Sequence, residues 1–185
     1  MEKEVKKLDY QKLFNIMHPD FFKQPRFQTI SENIVYSELI MDLKSEMPQE
    51  ILQPLPCPEE ITFGEYKGEL SKIQEAVAKV DDDWGQYFTG KNRIFCAFDN
   101  DKIAAFCIFD DWGINDSLHI GGPGCVGTVP DYRKKGIGLE MVRQATNILR
   151  QEGFDISWIH YTHLADWYSK LGYKTILKWN CKGFF

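Results

Sequence analysis

The sequence predicts an α/β domain, a mixed sheet with helices on both faces, entered through an irregular N-terminal extension. Three observations carry this. Beyond about residue 60, apolar runs of strand length alternate with stretches that repeat at helical spacing, in the order strand, helix, hairpin, strand, helix, strand, helix, strand. Two of these runs are separated only by Asp99-Asn100-Asp101-Lys102, a turn composition that makes an antiparallel hairpin. A chain of 185 residues is enough for one domain with one core, and small for two.

In the first 60 residues, Leu8 to Met17 reads as a helix, and Ile34 to Leu43 is apolar without a period that separates strand from helix. The cluster Pro54-Leu55-Pro56-Cys57-Pro58 cannot be helical, because each proline fixes its own φ and pushes its predecessor towards extended geometry. It reads as a connector, which places the domain boundary between an extension, 1–60, and a domain, 61–185.

After the connector, Ile61 to Tyr66 reads as a strand, and Leu70, Ile73, Val77 and Val80 repeat as one helical stripe. Phe95 to Phe98 and Ile103 to Phe109 are the hairpin strands, and Cys125 to Val129 is the next strand. Ile137, Met141, Val142, Ala145, Ile148 and Leu149 form the inward stripe of a long helix, with Glu140, Arg143, Gln144, Asn147 and Arg150 facing away and Gly153 as its C′ residue. Ile156 to Tyr161 is a strand, Leu164, Trp167, Tyr168 and Leu171 mark a short helix closed by Gly172, and Tyr173 to Trp179 is the final strand.

Composition narrows the function. Hydrophobic residues at 43% and charged residues at 26% are ordinary for a folded, soluble protein. The charged start, Met1 to Lys7, has no apolar stretch behind it, which argues against a secretory signal or membrane anchor, and Ile103 to Phe109 is far too short to span a bilayer. The expected location is the cytoplasm. The five cysteines are scattered with no C-x-x-C pair, so they read as reduced thiols rather than a disulfide framework or zinc site. A net charge of −5 argues against nucleic acid as a general partner and leans towards a small or cationic ligand.

Against that acidic background, Asp131-Tyr132-Arg133-Lys134-Lys135-Gly136-Ile137-Gly138 gathers three cations around a Gly-x-Gly step at the start of the long helix. Helix-initial N–H groups lack intrahelical acceptors and the macrodipole favours negative charge, so the turn suits a phosphate group. Glycines at 136 and 138 let an anion approach the backbone, and Arg133, Lys134 and Lys135 add charge-assisted contacts. A third glycine for a dinucleotide fingerprint is missing, as is any G-x-x-x-x-G-K-[ST] loop. Taken alone, the motif also fits a glycine turn with solvated lysines.

The string from Val126 to Gly138 resembles the acyl-CoA-binding motif of the GNAT superfamily of N-acetyltransferases, whose core is Arg/Gln-x-x-Gly-x-Gly/Ala. Downstream, Trp167-Tyr168-Ser169-Lys170-Leu171-Gly172-Tyr173 resembles that family's second motif. The resemblance spans about Ile61 to the C-terminus and implies a GNAT-like mixed, mostly antiparallel sheet flanked by helices, with an N-terminal extension. It implies an N-acetyltransferase that moves an acetyl group from acetyl-CoA to a primary amine of a small molecule or peptide, by direct attack in a ternary complex and without a metal. A non-catalytic CoA-binding regulatory module is the alternative, and a plain interaction domain a third.

By the same resemblance, Val126, Gly127 and Thr128 contact the pantetheine arm, while Arg133, Lys134, Lys135, Gly136, Ile137 and Gly138 hold the pyrophosphate. Tyr168 corresponds to the tyrosine that protonates the departing thiolate, although on spacing alone it is also a buried aromatic. Many members carry a carboxylate base on the strand before the loop; Leu118 to Val126 offers none, and His119 is the nearest titratable group. His160, with His163 and Asp166, makes a poor metal set at a strand-to-helix junction. His160 fits a place lining the acyl cleft, with a structural role as its default. Asp81-Asp82-Asp83, and less so Asp110 and Asp111, read as capping or solvated runs or as attraction for a cationic amine, with Trp84, Tyr87 and Trp112 shaping a pocket or filling the core. The acceptor's identity, the role of residues 1–60 and self-association as a homodimer stay open.

Overall fold

A computed structural model describes residues 8–185, and the charged start at residues 1–7 lies outside the described residues. Among those residues the chain forms eight strands, β1 Tyr36–Asp42, β2 Ile61–Glu65, β3 Ile94–Asp99, β4 Lys102–Asn115, β5 Leu118–Thr128, β6 Ile156–Thr162, β7 Lys174–Asn180 and β8 Gly183–Phe184. The helices are α1 Tyr10–Met17, α2 Pro25–Gln28, α3 Gln49–Leu52, α4 Leu70–Ala78, α5 Ile137–Gln151 and α6 Ala165–Ser169. Short 3-10 segments at Phe21–Lys23, Asp82–Tyr87 and Pro130–Tyr132 complete the set.

One sheet holds all eight strands in the order β2-β3-β4-β5-β6-β1-β7-β8. Every neighbouring pair is antiparallel except β5 and β6, which run parallel. The mixed, mostly antiparallel sheet flanked by helices is therefore the expected architecture.

β1 lies between β6 and β7, bonded to both, so the stretch expected as an extension supplies a central strand. This explains why its periodicity was uninformative. Ser37 to Met41 are all buried, and a strand covered on both faces has no reason to alternate.

Alternate residues of the sheet feed two faces. On one, α5 and α3 pack on Leu39, Met41, Cys107 and Phe109, and Tyr168 of α6 joins them. On the other, Phe14, Phe21 and Phe27 cover Ile40, Trp158 and Trp179, while Ile73 and Val77 of α4 cover Phe106 and Ile108.

One expectation for α5 is corrected. Glu140 and Arg143 do not face solvent; they are buried beneath α3 and the proline connector. The cause is the uncapped backbone of that segment, which needs partners. Arg143 donates to the Ile51 carbonyl at 2.8 Å and Asn147 does the same, while the Leu55 amide donates to Glu140 Oε2 at 2.9 Å. Burial pushes the Glu140 carboxyl up, but the Arg143 guanidinium, the Leu55 amide and Gln144 together hold it below the usual range.

Candidate active site

β5 and β6 form a fork. They pair only at Ile120 with Ile156 and Gly121 with Ser157, and beyond that point β5 has no partner on its β6 side. The free edge carries Val126, Gly127 and Thr128 to the mouth of α5. Cys125 makes the edge irregular, with φ +46 and a register shift against β4 between Phe106 and Ile108, the geometry of a bulge.

The loop after β5 gathers the remaining predicted cofactor residues. Arg133 Nε donates to the Thr128 carbonyl at 3.0 Å, Lys134 sits at φ +61, and Lys135 lies over the Tyr132 ring at 5.5 Å. Gly136 is the N-cap of α5 at φ +80, with no side-chain cap for the first helical amides. A Cβ at 136 would meet the Pro56 carbonyl at 2.2 Å, and one at 138 would meet Thr128 Oγ1 at 2.5 Å. Both positions therefore require glycine, one for conformation and one for the close approach of α5 to β5. Exposed cations, uncapped amides and an unpaired strand edge thus lie together, a donor set that fits a diphosphate joined to an extended amide-bearing arm.

Tyr168 approaches this fork from the α5 face. Its ring is buried beside Trp167 and Tyr173, with centroids at 4.8 and 6.1 Å. The hydroxyl has no hydrogen-bond partner among the described residues. Burial, reinforced by Tyr173, Cys107 and Cys125, pushes its ionisation far above the ordinary range, so it stays protonated at neutral pH.

His119 is not brought to this place. It precedes the fork on its closed side, where the ring stacks on Phe154 at 3.7 Å and Nε2 lies 2.9 Å from Asp111 Oδ1. Strand alternation explains the outcome, because His119 shares a face with Gly121, whose own Cβ would strike Phe154.

On the opposite face from Tyr168, two other groups meet across the opening. Continuing the parallel register from Gly121 and Ser157 sets Gly124 level with His160. The Asp110 carboxylate fills the space over Gly124, its Oδ2 lying 1.9 Å from where a Cβ would begin. Burial pushes Asp110 up to about 6, with His160 pulling the other way. Asp110 and Asp81 in turn act on Cys125, whose thiol is pushed up to about 12, chiefly by burial.

Behind His160 stands Glu38 of β1, fully buried. Its carboxylate accepts from Trp158 Nε1 and Trp179 Nε1, both at 2.7 Å, and from the Tyr161 amide at 3.1 Å. His160 Nδ1 lies 3.0 Å from Glu38 Oε2. Sequence reasoning missed Glu38, although a carboxylate inside the apolar run Ser37 to Met41 was itself a signal that buried donors must meet it. His18, after α1, stacks flat on His160 at 3.9 Å. Burial, then the neighbouring His160 and Arg26, push it down to about 3, and its Nε2 is buried without a partner.

The other candidates lie around this face. Arg26 of α2 reaches the Tyr87 hydroxyl at 3.3 Å, which brings the 3-10 turn after Asp81 against the N-terminal segment. Asp81 caps that turn through the Asp83 amide. Trp112 packs edge-on to His18 at 5.7 Å, and half-buried Trp84 packs on the α4 cluster. His163 and Asp166 do not join His160, whose Nδ1 is taken by Glu38. Among the described residues, no group of three or more His, Cys, Asp and Glu could hold a metal ion, and no helix is long and apolar enough to cross a membrane.

Residues 90–175 match the family described as acetyltransferase (GNAT) domain. No curated protein matches the chain. Among solved structures, a GCN5-related glucosamine N-acetyltransferase region of a fungal multi-domain GH3 beta-N-acetylglucosaminidase is similar at TM-score 0.63 and 23% identity, over 80% of this chain and 20% of that one. A GCN5-related N-acetyltransferase from Sphaerobacter thermophilus is similar at TM-score 0.55 and 15% identity, over 78% of this chain and 49% of that one. A functionally unknown conserved protein from Staphylococcus epidermidis ATCC 12228 is similar at TM-score 0.56 and 10% identity, over 94% and 66% respectively. The chain thus spans a fifth to about half the length of the first two, and at these identities the likeness establishes a shared fold.

Proposed function

We propose that the chain is an N-acetyltransferase that moves an acetyl group from acetyl-CoA to a primary amine of a small molecule or peptide, a reading supported by the match of residues 90–175 to the acetyltransferase (GNAT) domain family. The observation that carries this is the fork: an unpaired β5 edge that leads into uncapped α5 amides, with a free tyrosine hydroxyl beside the point of divergence.

On this reading, the free edge at Val126, Gly127 and Thr128 pairs with the pantetheine arm as an added strand would. The amides of Gly136 to Gly138, with Arg133, Lys134 and Lys135, take the pyrophosphate. Binding both ends fixes the thioester in the fork, and such alignment alone supplies about 7 to 11 kcal/mol of the barrier. Tyr168, held protonated by burial, gives its proton to the departing thiolate. On the other face, Asp110 and Asp81 supply negative charge for an incoming ammonium.

The state of the nearest thiol favours direct attack by the amine. Cys125 sits at the fork, but pushed up to about 12 it is no thiolate at neutral pH and makes a poor acyl acceptor. The lack of a carboxylate on the strand before the loop favoured a non-catalytic CoA-binding module; Asp110, on the neighbouring strand and leaning over Gly124, weakens that reading by bringing an acidic group to the fork.

The test is free-thiol release from acetyl-CoA over a panel of primary amines: an aminosugar, a polyamine, an arylethylamine and a lysine peptide. The aminosugar is included because the similar fungal region is described as a glucosamine N-acetyltransferase. Thiol release that depends on one amine class is expected. A protein stabilised by acetyl-CoA, by about 2.7 kcal/mol at a hundred times its dissociation constant, but inert to every amine would favour the regulatory module. No stabilisation would overturn both.

A further inference from the structure

Resting on the transferase reading, we infer that His160 is the base that takes the proton from the attacking amine, and that Glu38, from the N-terminal strand β1, is the residue that positions it. His160 Nδ1 lies 3.0 and 3.2 Å from the two oxygens of a carboxylate that can only accept, so Nδ1 carries the hydrogen and the lone pair lies on Nε2. Nε2 has no partner among the described residues, and the side chain keeps 20% of its surface exposed. A base fixed by a buried third group is the arrangement that activates nucleophiles on many folds.

Glu38 cannot swing away from this duty. Two indole N–H groups and the Tyr161 amide hold its remaining lone pairs. The groups that face His160 are Glu38 from β1, Asp110 from β4 and His18 after α1, with Arg26 behind His18. His18, pushed down to about 3, is uncharged at neutral pH and adds no competing cation. Asp110 supplies charge towards the same opening.

The acceptor, bound as an ammonium, first gives one proton to water; its amine nitrogen then forms the bond to the acetyl carbon and a second proton passes to His160 Nε2. The carbon–sulfur bond breaks, its electron pair stays on sulfur, and the thiolate takes the Tyr168 proton. Water returns one proton to Tyr168 and removes one from His160. Because Glu38 lies outside the residues matched by the family, 90–175, the centre is completed by a strand which that match does not include.

Two measurements on the full chain test this. In the free protein, nitrogen NMR of labelled histidines should find His160 protonated on Nδ1 in its neutral form, and Glu38→Gln should abolish that preference; a neutral His160 protonated on Nε2 overturns the proposal. With acetyl-CoA and the accepted amine from the panel, His160→Ala should lower kcat by about a hundredfold or more, leave acetyl-CoA affinity unchanged, and recover in part with added imidazole. Wild-type turnover that His160→Ala leaves intact overturns this proposal alone. A wild-type protein that transfers to no amine overturns the transferase reading, and this proposal with it.

Discussion

Asp110 and Gly124 occupy facing strands so closely that the carboxylate Oδ2 stands 1.9 Å from where a side chain at 124 would begin. The absence of a side chain on β5 is what admits an acidic group from β4 to the fork. Burial there pushes Asp110 up to about 6 from its ordinary 3.8. The ionised form is therefore less welcome in the folded state than in the unfolded chain.

Below about pH 4 both states hold the proton and nothing is lost; between about pH 4 and 6 the unfolded chain ionises first, so stability falls as pH rises, and above 6 the cost is constant. At about 1.36 kcal/mol per pKa unit, that cost approaches 3 kcal/mol at neutral pH. Asp110→Asn should raise urea-unfolding stability at pH 7.5 by up to about this amount, with the gain vanishing towards pH 4. The same substitution should weaken acceptor binding, read as a raised KM for the amine.

Tyr168→Phe keeps the buried ring and removes only the free hydroxyl. The expected loss is about a hundred- to ten-thousandfold in kcat, with acetyl-CoA affinity unchanged by calorimetry. Equal turnover in the two proteins would assign the tyrosine to packing alone.

Cys125 is held as a thiol, so no acetyl-enzyme should form. Intact-mass spectrometry after incubation with acetyl-CoA alone is expected to show unmodified protein, and Cys125→Ala should keep turnover within about tenfold of wild type, a change of about 1.4 kcal/mol in barrier. An acetyl adduct at Cys125 that is lost when amine is added would point to a covalent route.

Arg143→Ala strips the partner from a buried carboxylate and frees the Ile51 carbonyl. Breaking such a buried pair costs about 3–5 kcal/mol. Chemical denaturation should show that loss, and proteolysis should cut earlier within the segment from α3 through the connector that Glu140 and Arg143 fasten.

The loop after β5 and the tyrosine were legible in the sequence because they depend on local features: glycine at 136 and 138, cations beside a helix start, and a tyrosine in the Trp167–Tyr173 run. Helices α1, α4, α5 and α6 and the hairpin were legible for the same reason, since period and turn composition are local, while the single-turn helices α2 and α3 are too short to show a period. The acid–base face was not. Glu38, Asp110 and His160 come from three strands that the topology brings together, and Glu38 sits in a run without alternation because both its faces are covered. His119 was close in sequence to the loop, yet strand alternation turns it to Phe154. Nearness along the chain is a poor guide to which face of a sheet a residue serves.

The most direct measurement is a crystal structure of the acetyl-CoA complex, reading where the thioester sulfur lies relative to the Tyr168 hydroxyl. The sulfur is expected within hydrogen-bond reach of that hydroxyl and the pyrophosphate on the amides of Gly136 to Gly138. A ligand bound elsewhere, with the β5 edge bare and the loop free of phosphate, would contradict it.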